Sequence, residues 1–166
     1  MNKGVGILGL GSMGMAIATN LKKKYKIFGY DIKKYNNMKS SKNFIFVKNL
    51  KEIFLKTNIF IIIVLNENQC QKIFDTFIEI KKKLKISKNH TIINCTTVSP
   101  NWVKKIYSKL KKNNFDYIDC PVSGGPKKAI NGKLSLILSS KKSIYKKNLA
   151  LLKDVGNNIY NLGNKI

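Results

Sequence analysis

Short apolar runs alternate along the chain with amphipathic stretches, at the spacing of strand–helix units. Val5–Leu8 reads as a first strand. Ser12–Lys24 reads as a helix that carries Met13, Ala16, Ile17, Asn20 and Leu21 on one face and ends in lysines. Strands are predicted at Lys26–Tyr30 and, more weakly, at Phe44–Val47, and Asn49 opens a short helix with an acid, Glu52, three positions on. Asn58–Leu65 is apolar almost throughout, as expected of a parallel strand covered on both faces. Asn66 then caps a long helix to about Leu84, with Gln69, Ile73, Phe77 and Ile80 at helical spacing. A fifth strand at Thr91–Cys95 precedes a Ser99-Pro100 helix start that runs to about Lys112. Further strands are expected at Tyr117–Asp119, Leu134–Leu138 and Asn158–Tyr160, the last two separated by a helix over Ser143–Lys153. The pattern is α/β, without internal repeat or linker, and it predicts one domain over residues 1–166.

Composition narrows the function classes. The 166 residues carry 32 basic and 8 acidic side chains, for a net charge of +24. That excess raises nucleic-acid binding as a reading. Every basic residue is lysine, however, and arginine is the residue favoured for base readout and bidentate phosphate contacts. Lys, Asn and Ile make up 75 of the 166 residues and Ala only four, which fits AT-rich codon usage better than a selected polyanion surface. Nor is there the interleaved aromatic and basic stripe that stacks single strands. The longest apolar run, Ile59–Leu65, is far shorter than the ~20 residues of a membrane helix. No secretory leader is expected. Cys70, Cys95 and Cys120 are isolated, which suits a reducing cytoplasm and offers no metal spacing. Cys95, Cys120 and Trp102 read as packing residues. His90 closes a Ser87–His90 stretch that reads as a turn and is expected to be solvated, as are the lysine runs 22–24 and 81–83.

The first strand–helix junction carries candidate chemistry. Gly9-Leu10-Gly11-Ser12-Met13-Gly14 is a G-x-G-x-x-G between a strand and a helix. Gly9 suits a tight turn, Gly11 allows a pyrophosphate close to the backbone, and Gly14 allows close helix–strand packing. The first-turn amides then face anions along the helix dipole. Asp31 follows the second strand, 22 positions after Gly9, where an acid can accept hydrogen bonds from an adenosine ribose. It favours NAD because it repels a 2′-phosphate, while Lys33 and Lys34 nearby leave NADP open. The fold expected is Rossmann-like, a doubly wound and mostly parallel sheet.

From these residues onward the chain resembles the β-hydroxyacid dehydrogenase family of 3-hydroxyisobutyrate dehydrogenase, to which 6-phosphogluconate dehydrogenase is distantly related. Four blocks carry the resemblance: Gly9 through Leu21; Val64-Leu65-Asn66 with Gln69, in the manner of the threonate-type members; Cys95-Thr96-Thr97-Val98-Ser99-Pro100; and Asp119-Cys120-Pro121-Val122-Ser123-Gly124-Gly125, followed by Ala129 and Gly132-Lys133-Leu134. It spans about Val5 to Gly163. The resemblance implies that Gly9, Gly11, Ser12, Met13, Gly14, Asp31, Leu65, Asn66, Thr96 and Thr97 bind the cofactor. It also implies that Ser123, Gly124 and Gly125 cradle the carboxylate of a small hydroxyacid.

In such relatives a glycine-rich stretch leads into a helix bearing a catalytic Lys and then into a helical second domain. The resemblance implies that the 166 residues stop before that domain, and Lys165 comes too early to be assigned the role. No catalytic residue and no metal site are assigned. Ser139-Ser140 replaces a pair usually ending in Gly, which puts the turn there in question. The resemblance implies an NAD(P)-binding part of an oxidoreductase, weakly active alone, completed by a separate helical domain or a homodimer. An apolar surface near Ser123 and Ile159 is the expected trace of that missing half. Two other readings stay open at this point: a basic nucleic-acid-binding module and an inactive remnant.

Overall fold

A computed structural model of the chain describes residues 4–33 and 40–164. Lys34 and Lys165 lie outside the described residues. The elements run β1 (Gly4–Leu8), α1 (Ser12–Leu21), β2 (Lys26–Tyr30), β3 (Phe44–Phe46), α2 (Leu50–Lys56), β4 (Ile59–Ile62), α3 (Glu67–Lys83) and β5 (His90–Asn94). They continue with α4 (Pro100–Lys112), β6 (Phe115–Asp119), β7 (Val122–Ser123), α5 (Gly125–Ala129), β8 (Ser135–Leu138), α6 (Lys142–Val155) and β9 (Asn158–Asn161).

Six strands form a parallel sheet in the order β3-β2-β1-β4-β5-β6. The Rossmann-like, doubly wound expectation therefore holds. β1 and β4 are apolar along their length, and β5 is buried throughout, because helices cover both faces. One face packs Val5, Ile7, Ile61, Ile93 and Ile118 against α1 and α6. The other packs Leu8, Phe60, Ile62, Ile92 and Tyr117 against α2, α3 and α4. All six carboxyl ends lie at one edge, and the chain reverses direction across the sheet between β1 and β4. Ligands of doubly wound folds bind outside such a point.

A smaller sheet, β7-β8-β9, follows and is joined to the first through paired hydrogen bonds between Asp119 and Ser139. Among the described residues only one of its faces is covered. Leu136 and Leu138 are buried, whereas Ile137 pairs with Tyr160 on the other side, and these two with Leu162 are 43–58% exposed. The apolar surface expected near Ser123 and Ile159 is thus present.

Several local expectations change. His90 is not a solvated turn residue: it begins β5, is 3% exposed and stacks on Phe54 with ring centroids 4.2 Å apart. The strand starts one residue earlier than the apolar run suggests, which turns the imidazole onto the aromatic face. Lys81 is not solvated either, because it follows Phe74, Phe77 and Ile78 on the buried stripe of α3. Its ammonium donates to the carbonyls of Lys88 (3.0 Å) and Asn114 (2.6 Å), so its stem is buried and its charge is satisfied. Lys22–Lys24, Lys82 and Lys83 are exposed as expected. Ser139 and Ser140 fit their turn without a positive φ, and both donate to the Gly163 carbonyl. Cys95 and Cys120 are buried packing residues, and Trp102 packs against Phe74 at 5.9 Å. The strand β7 and the short helix α5 are additions to the elements that periodicity indicated.

Candidate functional site at the carboxyl edge

The parallel sheet brings the candidate residues that follow β1, β2, β4 and β5 to one edge, and Ser123, Gly124 and Gly125 follow β6 in β7 and at the start of α5. Gly9 leaves β1 with φ of 92°, in the left-handed region that glycine tolerates, and its N–H donates to the Tyr30 carbonyl at 3.0 Å. A Cβ at Gly14 would overlap the Gly9 carbonyl oxygen, so this glycine is needed for α1 to start so close to the strand. Gly11 differs. A Cβ there meets nothing within 4 Å, and the residue is exposed. Folding therefore leaves open space above Gly11, beside exposed Ser12 and the first-turn amides of α1. That space, at a helix start with no acidic residue in its first turn, fits the diphosphate of a dinucleotide.

Asp31 stands at the end of β2, next to this turn. Its Oδ2 accepts from the Leu10 N–H at 2.6 Å and its Oδ1 from the Lys33 N–H at 2.8 Å. The carboxylate therefore fixes the glycine turn as well as offering its remaining lone pairs outward. Ile32 beside it is 74% exposed, an apolar surface that the sequence pattern did not single out.

At the end of β4, Leu65 is 86% exposed. Asn66 accepts from the Gln69 N–H at 3.0 Å, and Gln69 Oε1 accepts from the Leu65 N–H at 3.0 Å. This reciprocal cap explains why Asn and Gln occur three positions apart, and it occupies the Asn66 side-chain oxygen. The two threonines after β5 separate. Thr96 is 3% exposed, and its hydroxyl accepts from the Val64 N–H at 3.0 Å, tying β5 to β4. Thr97 is exposed. Glu67 accepts from the Ser99 N–H at 2.6 Å, which holds its carboxyl below the ordinary value.

After β6, Ser123 is exposed in β7, and Gly124 and Gly125 follow with φ of 134° and 73°. Two consecutive left-handed positions give this loop a sharp turn that a side-chain-bearing residue would resist. Sequence reasoning did not single out Asp119, which ends β6 at the same edge. Burial pushes its carboxyl up to about 6, against the hydrogen bond from Tyr117. Its signal was present only as part of a longer motif. Among the described residues no group of three or more metal-ligating side chains occurs, and no helix is long and apolar enough to cross a membrane.

Known proteins share this arrangement. A family described as the NAD binding domain of 6-phosphogluconate dehydrogenase matches residues 4–163. The mitochondrial 3-hydroxyisobutyrate dehydrogenase of Drosophila melanogaster is 28% identical over 97% of this chain and 49% of its own length. The L-threonate dehydrogenase of Haemophilus influenzae is 26% identical over 99% of this chain and 55% of its own. Among solved structures, 3-hydroxyisobutyrate dehydrogenase of Mycobacterium tuberculosis with L-serine superposes with a TM-score of 0.84 at 18% identity, covering 99% of this chain and 55% of that one. An imine reductase of Myxococcus stipitatus in complex with NADP+ superposes with a TM-score of 0.81 at 16% identity, covering 96% and 54%. These two superpositions bear on the fold. The chain spans about half the length of the curated relatives it matches. With the glycine turn, the acid after β2 and a family match over nearly all of its length, the chain belongs to the NAD-binding-domain family of 6-phosphogluconate dehydrogenase, which it shares with 3-hydroxyisobutyrate dehydrogenase.

Proposed function

We propose that this domain serves an oxidoreductase that moves a hydride between a small β-hydroxyacid, threonate-like or 3-hydroxyisobutyrate-like, and NAD. The observation that carries the reading is the glycine turn held by Asp31, with open space over Gly11. Gly9, Gly11, Ser12, Met13 and Gly14 hold the diphosphate, and Asp31 holds the adenosine ribose. Its negative charge favours NAD over NADP. Leu65, Asn66 and Thr97 flank the nicotinamide side. Thr96 acts there by positioning, because its hydroxyl is already committed to Val64. Ser123, Gly124 and Gly125 receive the substrate carboxylate on a hydroxyl and unhindered backbone N–H groups. Bound cofactor supplies the hydride-accepting ring, and the chain supplies orientation and anion binding.

Oxidation of a hydroxyacid also needs a base for the hydroxyl proton, and no described residue is assigned that role. A helical segment, continuous with this domain or on a separate chain, supplies it in this reading. The exposed Ile137, Tyr160 and Leu162 support such a docking face, and a homodimer is the other way to cover it. Lacking that base, the domain alone turns over slower by about 10²–10⁴-fold. The three buried unpaired cysteines support a reducing compartment, the cytoplasm.

Fluorescence titration with NADH tests the reading. Saturable binding is expected, with NADPH weaker, and both should be lost in Gly11→Asp. No saturable binding up to millimolar cofactor would overturn it.

A further inference from the structure

Most acids away from the carboxyl edge find lysines, and among the described residues those at the edge do not. Glu52, Asp75, Asp116 and Asp154 each have a lysine ammonium at 2.5–3.9 Å, and Glu79 is exposed on α3. Among the described residues, the edge acids Asp31, Glu67 and Asp119 form no ion pair with lysine, although the chain holds 32 lysines. Asp31 and Glu67 are bound by backbone N–H groups. Asp119 is held differently, by a buried side-chain network. Asn94, fully buried, donates through Nδ2 to the Tyr117 hydroxyl at 3.2 Å, and that hydroxyl donates to Asp119 Oδ1 at 3.3 Å. Asn94 Oδ1 in turn accepts from the Thr96 N–H at 3.4 Å. Asn94 and Asp119 are register partners at the ends of β5 and β6, and the Asp119 backbone is fixed on both sides by Ser139 at 3.1 and 2.9 Å.

This network holds a half-buried carboxyl at the end of β6, whose register partner Asn94 precedes the Thr96-Thr97 turn and which itself leads into the Ser123–Gly125 loop. Neither neighbouring turn supplies a cation. A carboxylate in a partly desolvated place with no positive partner is costly, and a positively charged ligand group relieves that cost. The nicotinamide ring is positively charged when oxidised and neutral when reduced. We propose that Asp119, held by Tyr117 and Asn94, makes the site discriminate between the two cofactor states in favour of the oxidised one. This rests on the cofactor reading above. Burial raises the carboxyl only to about 6, so it is ionised at pH 8.

The test is to measure dissociation constants of NAD+, NADH and ADP-ribose at pH 8 for the full chain and its variants. ADP-ribose lacks the nicotinamide. Asp119→Asn should weaken NAD+ by roughly three- to tenfold relative to NADH and leave ADP-ribose unchanged. Asp119→Glu, which keeps the charge, should retain most of the preference, and it stands in if the Asn variant does not fold. An unchanged NAD+/NADH ratio in Asp119→Asn, a parallel loss of all three ligands, or loss of the preference in Asp119→Glu would overturn the proposal while leaving cofactor binding intact as a reading. Failure of the wild-type chain to bind any of the three overturns both.

Discussion

The two ends of the same parallel strands treat polar chemistry in opposite ways. At the carboxyl ends, Gly11, Ser12, Leu65, Thr97 and Ser123 face solvent, and the acids there are bound by neutral donors. At the amino ends, Lys81 and His90 are sealed among Phe54, Phe60 and Phe115, with the Lys81 ammonium 4.7 Å from the Phe115 ring centroid. The same backbone geometry thus presents a ligand-ready edge and a closed one. The difference lies in the segments that flank the strands. Glycine turns and helix starts succeed the carboxyl ends, whereas long side chains from α2 and α3 close over the amino ends. Substitutions at the first edge should act on binding and those at the second on stability. The glycine turn is the informative exception, because it mixes the two.

The largest expected effect lies there. Gly14→Ala places a Cβ against the Gly9 carbonyl oxygen and should destabilise the fold by at least about 3 kcal/mol, measured by denaturant unfolding. Gly11→Ala, three residues away, meets open space and should unfold at the wild-type midpoint. Equal destabilisation by both would erase the distinction between the packing glycine and the site glycine.

Acid sensitivity of the sealed edge comes next. Burial, with Lys81 nearby, lowers His90 from 6.5 to about 4. The folded state therefore resists a proton that the unfolded chain accepts. The stabilisation is complete above about pH 6.5 and is lost as pH falls toward 4, by up to about 3 kcal/mol. Asp119, raised to about 6, slopes the other way over part of this window. The contribution of His90 is accordingly read as the difference between wild type and His90→Leu in unfolding at pH 7 and pH 4.5. A pH-independent difference would mean that the imidazole is not held neutral.

Lys81→Met keeps the buried stem but strands the Lys88 and Asn114 carbonyls. It should cost about 1–3 kcal/mol in chemical denaturation and leave the NADH dissociation constant unchanged. A change in cofactor affinity would break the separation of the two edges. The smallest effect is expected at the open face of the small sheet. Ile137→Ser should shift stability by less than about 0.5 kcal/mol, because the side chain is exposed in the isolated chain. A large loss would show that the face is already covered in solution.

Much of the carboxyl edge was legible in the sequence because its geometry is local. The glycine spacing, the acid after the second strand and the Asn66–Gln69 cap each act within a few residues or across one strand–helix unit. His90, Lys81 and Asp119 were not legible in that way. A lone histidine after a Ser-Lys-Asn stretch looks like a turn, and a lysine in a run of three looks solvated. A one-residue difference in strand start turns His90 inward. The burial of Lys81 depends on the Asn114 carbonyl, 33 residues away.

By itself the sequence determined the order of elements, the doubly wound class and the glycine turn, since hydrophobic period and backbone freedom are properties of short segments. It also carried the family membership, through motifs at strand ends. Only the tertiary structure decided which polar groups are sealed and which are open, because burial is created by residues far apart in the chain. It closed the amino edge over Lys81 and His90. It committed the hydroxyl of Thr96 while leaving Thr97 exposed, and it set Asp119 at the carboxyl edge on a buried tyrosine, with no cation beside it among the described residues.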